Sequence, residues 1–233
     1  MESDLKKLLE KLNIKPNNNL LFKNAFVHRS ILNEQELNIE SNERLEFLGD
    51  AVLELLITTY LYRFVNKSEG ELSAIRAAAV KTSTLALISQ KIGLDRFLLL
   101  SKGEEQTGGR KKEGILADAF EAFLGAVYLD QGLEKAKEIF EKYLLPYLKD
   151  IIKNKKYVDP KTYLQEISQE KFKKLPSYQI LKEEGPDHRK LFTMRVSIGE
   201  KITGIGQGLS KQQAEEEAAR DALHKLETEN EEK

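Results

Sequence analysis

The sequence predicts a multidomain protein, with an all-α helical domain followed by a small α+β domain of order α-β-β-β-α. Three observations carry this reading. Apolar residues recur at three- and four-residue steps from Leu5 to Tyr147, without strand-like alternation. A polar stretch from Lys149 to Asp159 then runs into Pro160, a residue that interrupts a continuing helix. Beyond it Phe192, Met194, Val196 and Ile198 alternate with Thr193, Arg195 and Ser197, the period of a strand with one buried face.

In order along the chain, Leu5, Leu8, Leu9 and Leu12 mark a first amphipathic helix, and Pro16 separates it from the stretch Leu20 to Val27. Gly70 precedes a helical run from Leu72 to Ile92, and Gly103, Gly108, Gly109 and Gly114 punctuate a charged loop. Residues 1–150 form the first domain, 151–158 a linker, 159–228 the second domain and 229–233 a polar tail expected to fray. Within the second domain, helices over Lys161–Lys173 and Ser210–Leu226 flank strands over Tyr178–Glu184, Phe192–Ile198 and Lys201–Leu209. The last helix places Ala214, Ala218, Ala222 and Leu226 on one face.

Composition removes several classes of chemistry. Among 233 residues there is no cysteine, hence no disulfide framework, thiol nucleophile or thiolate zinc site, and three scattered histidines do not make a metal cage. No run approaches the roughly 18 apolar residues of a membrane span, and Met1 to Lys11 mixes acids with lysines, so a cytoplasmic location with no membrane partner is expected. The 37 basic and 38 acidic side chains balance, but not uniformly: residues 1–150 hold 21 and 23, residues 151–228 hold 15 and 12. Binding of a polyanion must therefore come from placed contacts rather than bulk charge.

The segment Asn42 to Tyr62 holds Glu43, Glu46, Asp50 and Glu54 within an arc of roughly 80° on an otherwise apolar helix. No Lys or Arg stands three or four residues from Glu46 or Asp50, so their compensation must come from outside the helix. A solvated face is the usual fate of such acids. A second apolar segment, Gly114 to Asp130, however carries Asp118 and Glu121 as i, i+3 neighbours, also without an intrahelical basic partner. Opposed across a bundle, the two clusters would make an oxygen-rich cavity suited to Mg²⁺ or Mn²⁺. Such sites favour phosphodiester hydrolysis. The di-iron bundle alternative needs Glu-x-x-His motifs, and neither cluster contains a histidine.

NERLEFLGDAVL at Asn42 to Leu53 resembles the signature of ribonuclease III, the double-stranded-RNA endonucleases. The similarity continues through Glu69-Gly70-Glu71-Leu72 with Arg76, the loop Gly108-Gly109-Arg110, and ILADAFEAFLGAVYLD at Ile115 to Asp130. The C-terminal α-β-β-β-α unit is similar to the family's double-stranded-RNA-binding domain. The resemblance implies that Glu46, Asp50, Asp118 and Glu121 hold the catalytic divalent ions and that Glu43 and Glu69 assist in the cleavage site. It further implies a homodimer, products with 5′-phosphate and 3′-hydroxyl ends and short 3′ overhangs, and processing of ribosomal RNA precursors. Phe47 and Leu48 fit either monomer core or a dimer surface. His28, in AFVHRS, reads as a packing or capping residue.

Duplex RNA is read by shape across two minor grooves and the intervening phosphates, which requires polar side chains in three places. The resemblance supplies Thr162, Gln165 and Glu166 on the first helix of the second domain, Pro186 and His188 in the turn between its first strands, and Ser210 and Lys211 at the start of its last helix. Arg110 in the glycine-rich loop is a further candidate for RNA. Leu209 and Gln212 stand where the family commonly has basic residues, which predicts a weaker phosphate clamp there. A non-cleaving double-stranded-RNA-binding regulator is the alternative, and a DNA nuclease ranks behind both.

Overall fold

A computed structural model describes residues 2–32, 34, 40–186, 190–199 and 202–231. The chain divides into two compact units, Met1–Tyr157 and Val158–Lys233. The first contains α1 (Glu2–Lys11), α2 (Asn19–Asn24), α3 (Arg29–Leu32), α4 (Glu43–Phe64), α5 (Glu69–Ala79), α6 (Thr82–Ile92), α7 (Lys102–Gln106), α8 (Glu113–Gln131), α9 (Leu133–Ile139) and α10 (Leu145–Lys153). Local chemistry explains the ends. Asn18 caps α2, Ser68 and Glu71 form a capping box at α5, and Gly93 closes α6 in the left-handed conformation at φ +89°.

Helix α8 is the core of this unit, since nearly every side chain from Ile115 to Val127 is buried except Asp118 and Glu121. Phe22 and Phe26 pack on its Phe123, with ring centroids 6.1 and 6.2 Å away. Helix α4 lies against α8 in the opposite direction, and two glycines set how closely. A Cβ on Gly49 would fall 1.8 Å from the Glu121 carbonyl oxygen, and one on Gly125 would fall 2.3 Å from that of Leu45. No other residue fits either position without parting the helices.

Three boundaries differ from the sequence expectation. The expected run Leu72–Ile92 is two helices, α5 and α6, broken at Val80 and Lys81. The stretch expected over Leu20–Val27 leaves the helix after Asn24, so that Val27 pairs with Leu99 as an isolated parallel bridge. Helix α10 continues to Lys153 because Ile151 is buried, and Tyr157 packs on the same core, so most of the expected linker belongs to the helical domain.

The second unit has α11 (Pro160–Phe172), β1 (Ser177–Glu184), β2 (Leu191–Ile198), β3 (Ile202–Gly208) and α12 (Lys211–Glu231). Pro160 is the first residue of α11, where it costs no hydrogen bond, and Asp159 caps it by accepting from the Thr162 amide at 2.8 Å. The sheet is antiparallel in the order β1-β2-β3, with an irregularity between Ile180 and Lys182. Met194, Val196 and Ile198 point into a core with Leu164 and the alanine face of α12. Gly204 and Gly206 of β3 admit that face, since a Cβ on either would lie 2.2 or 2.1 Å from the backbone of Ala218. Helix α12 runs to Glu231, through most of the tail expected to fray.

Candidate metal centre and RNA-binding surfaces

The α4–α8 crossing creates the site. Glu46 precedes Gly49 by one turn and Glu121 precedes Gly125 by one turn, so the contact that brings the backbones together also brings the carboxylates together. One oxygen each of Glu46, Asp118 and Glu121 lie within 4.8 Å of one another, and all three side chains are half-buried. Asp50, expected as a fourth ligand, is exposed a turn further along α4 and outside this tight group. Its charge still reaches Glu121.

Burial and mutual repulsion set the electrostatics. The Glu121 carboxyl is pushed up to about 8, first by burial and then by Asp50, Glu46 and Asp118. Burial also raises Glu46, with Asp118, Glu43 and Asp50 adding to it, and burial raises Asp118. The outside compensation that the sequence required comes from the start of α3 and the residue before it. The Val27 carbonyl accepts from the Asn42 amide at 2.8 Å, which fastens His28 and Arg29 beside the start of α4. Arg29 lies 3.5 Å from Glu43 and lowers Glu46, while His28 and then Arg29 lower Asp118. His28 itself is lowered by burial, and its Nδ1 meets Ser30 Oγ at 2.8 Å, consistent with a packing role.

Sequence reasoning missed Gly49, Gly125 and Arg29. The signal for the glycines was present, since an isolated glycine inside an apolar helix pattern marks a close packing contact. Arg29 carried no periodic signal, because it acts from a separate segment.

Glu43 stands at the head of α4 and accepts from Ser41 Oγ at 2.9 Å. Glu69 is elsewhere: it starts α5 beside Thr58, Tyr62 and Arg76, and Thr58 is about 18 Å along α4 from Glu46. Arg110 is largely used inside the domain. It donates to both carboxylate oxygens of Glu105 at 2.9 and 2.7 Å, to the Asp95 carbonyl at 2.6 Å and to the Leu98 carbonyl at 3.1 Å. One N–H of five is left for RNA, so its evident work is to shape the loop.

In the second unit Thr162, Gln165 and Glu166 are exposed together along α11 and line one open groove with Gln169 and Lys173. Pro186 is exposed after β1, while His188 lies outside the described residues. Ser210 caps α12 by accepting from the Gln213 amide at 3.1 Å. Lys211 sits 3.7 Å from Glu183 and 5.7 Å from the Phe192 ring, so part of its charge is already answered.

The family model described as Ribonuclease-III-like matches residues 18–148, and that of the double-stranded RNA binding motif matches residues 160–226. Ribonuclease 3 of Borreliella burgdorferi is 45% identical over 230 residues, covering 98% of this chain and 94% of that one. Ribonuclease 3 of Pelotomaculum thermopropionicum is 48% identical over 207 residues, covering 88% and 86%. The solved nuclease domain of the Campylobacter jejuni ribonuclease III is 40% identical with a TM-score of 0.55, covering 60% of this chain and 95% of that one. Two helices that oppose their acids across a glycine contact, followed by a three-stranded RNA-binding unit, therefore place this chain in the ribonuclease III family of double-stranded-RNA endoribonucleases.

Proposed function

We propose that the chain hydrolyses duplex RNA with Mg²⁺, for which Mn²⁺ substitutes, and leaves 5′-phosphate and 3′-hydroxyl ends with short 3′ overhangs. Its substrates on this reading are ribosomal RNA precursors and other structured transcripts in the cytoplasm. The observation that carries the proposal is the convergence of Glu46, Asp118 and Glu121 within 4.8 Å, with Glu121 raised to about 8. Such a donor set fits a hard divalent cation, because all three offer oxygen and all three lose repulsion when a cation is bound. Glu46, Asp118 and Glu121 would hold it, with Asp50 at the margin.

When bound, the ions supply activation of water and shielding of phosphate charge. The protein's own part is placement. Arg29 offsets part of the acids' charge and pairs with Glu43 at 3.5 Å. Hydrolysis breaks the bond from phosphorus to the 3′-oxygen, the water oxygen stays on the 5′-phosphate, and the 3′-oxygen leaves as a hydroxyl. The exposed residues of α11 and the start of α12 (Thr162, Gln165, Glu166, Ser210 and Lys211), with Pro186 and His188, hold the duplex.

We also assign the working form as a homodimer. A duplex presents two antiparallel strands, and cutting both calls for two sites related by a two-fold axis. Phe47 is 81% exposed immediately beside Glu46, an apolar surface for a second copy. The Campylobacter jejuni structure is described as having a region involved in dimer formation of the nuclease domain. Since Glu69 stands far from its own cluster, its contribution to cleavage would be to the second copy's site.

The test is Glu121→Gln. The variant should bind an end-labelled RNA duplex as the parent does and fail to cut it in Mg²⁺. Cutting at the parental rate would remove Glu121 from the site, and a parent that retains but never cuts the duplex would favour the binding-regulator reading.

A further inference from the structure

We infer that a cationic groove on the helical domain, lined by none of the acid cluster's residues, is a docking site for the sugar-phosphate backbone of the duplex. The inference rests on duplex RNA being the substrate. The groove, of about 750 Å³, runs between α1, the end of α6 and the turn Leu94–Phe97. Its floor is apolar and buried, with Leu8, Ile92, Phe97 and Leu98 all under a tenth exposed. Its rim is Lys7, Lys11, Lys91 and Arg96, Arg110 also lines it with most of its donors turned to Glu105 and two carbonyls, and the single acid among the lining residues is Asp4.

This concentration runs against the composition around it, since residues 1–150 carry more acids than bases. The rim cations are only partly occupied. Lys7 pairs with Asp4 at 3.7 Å with both side chains well exposed, a contact worth little in water, and Lys91 lies 5.3 Å from the Tyr147 ring. Lys11 and Arg96 are exposed and form no ion pair with any described residue. Lys11 ends α1 and Lys91 is in the last turn of α6, so each also complements a helix C-terminus. That role does not explain Arg96, which stands on the short turn that Arg110 braces through the Asp95 and Leu98 carbonyls.

The bracing matters for what the groove can hold. The held turn presents Arg96, and helices α1 and α6 present the lysines, so binding orders side chains but no backbone. An extended polyanion with charges repeating along it matches a row of cations over a shallow floor, and duplex RNA is the polyanion this protein engages. Contacts there lie outside the cleavage chemistry, so they add affinity and register for a duplex longer than the cut site.

The experiment uses the full chain in EDTA, which keeps the RNA intact, and a perfect RNA duplex several helical turns long. Dissociation constants are measured across salt concentration for the parent, for K11Q/R96Q and for the charge-retaining K11R/R96K. Loss of two phosphate contacts should flatten the slope of log Kd against log salt by about 1.8, widening the difference from the parent about 30-fold between 1 M and 0.15 M salt. K11R/R96K should keep the parental slope. A K11Q/R96Q slope equal to the parent's overturns the inference, and a lowered melting temperature with that unchanged slope would assign the cations to the helix ends. A parent that neither binds nor cuts duplex RNA would remove the substrate reading itself, a result separable from either variant's.

Discussion

Gly49→Ala tests the claim that helix spacing makes the metal centre. The added Cβ would sit 1.8 Å from the Glu121 carbonyl oxygen, whereas carbon–oxygen contacts in proteins begin near about 3.3 Å. The helices must therefore part by roughly 1.5 Å. The obstacle is backbone on both sides, so no side chain can rotate out of the way. Overpacking of a core typically costs about 1–3 kcal/mol, and this case belongs at the upper end. At roughly 2–4 °C per kcal/mol for a domain of this size, the helical domain should melt about 6–12 °C lower. The parting also separates Glu46 from Asp118 and Glu121, and misplacement by about 1 Å can cost on the order of 100-fold in rate. Gly114→Ala is the control, because nothing lies within 4 Å of a Cβ built there and an alanine in a helix should be neutral or stabilising. Melting followed by circular dichroism and single-turnover cleavage in Mg²⁺ read both effects. A Gly49→Ala protein that melts and cuts like the parent would refute the reasoning.

Further outcomes follow from single groups. Without divalent ions, stability should fall as pH rises from about 4.5 to about 8, because folded Glu121 keeps a proton that the unfolded chain has lost. Mg²⁺ displaces that proton, so its stabilising effect on the melting temperature should grow toward pH 8; equal stabilisation at pH 5 and pH 8.5 would contradict this. Arg110→Lys should destabilise nearly as much as Arg110→Ala, by about 1–3 kcal/mol, since lysine cannot span Glu105 and two carbonyls at once, and hydrogen exchange near Leu98 would show it. Asp130→Ala should cost about 1–3 kcal/mol in thermal unfolding, because its carboxylate accepts from the Asn17 and Asn18 amides at 2.9 and 2.7 Å; parental stability would make those bonds dispensable.

Periodicity made the architecture legible because each element buries one face against a core. Met194, Val196 and Ile198 alternate inward, and the alanines of the last helix line one side, as the pattern required. The acid pairs were legible for the opposite reason: unpaired charges on apolar helices are costly and therefore conspicuous. What stayed hidden depends on contacts between distant segments. Nothing local in Phe26-Val27-His28 announces a bridge to Leu99, and nothing in Arg110 shows that its donors are used by carbonyls twelve and fifteen residues earlier. The position of Glu69 could not be read either, since it lies beside Thr58 and Tyr62 in the C-terminal half of α4, while Glu46 is in that helix's first turn.

The same crossing explains why the centre is both stable enough to fold and uncomfortable enough to bind. Gly49 and Gly125 let α4 and α8 approach until backbone touches backbone, which excludes water from beneath the carboxylates and buries the apolar sides of both helices. Excluded water is also what raises Glu46, Asp118 and Glu121, so the packing that stabilises the domain raises the cost of ionising them together. Arg29 answers only part of that charge from one edge. On the function proposed above the remainder would be relieved by a divalent ion, which would tie cation affinity to helix spacing. On this account Glu121→Gln should make the metal-free protein more stable than the parent at pH 8 while removing its stabilisation by Mg²⁺. A variant less stable than the metal-free parent at that pH would mean that the carboxylate serves packing instead.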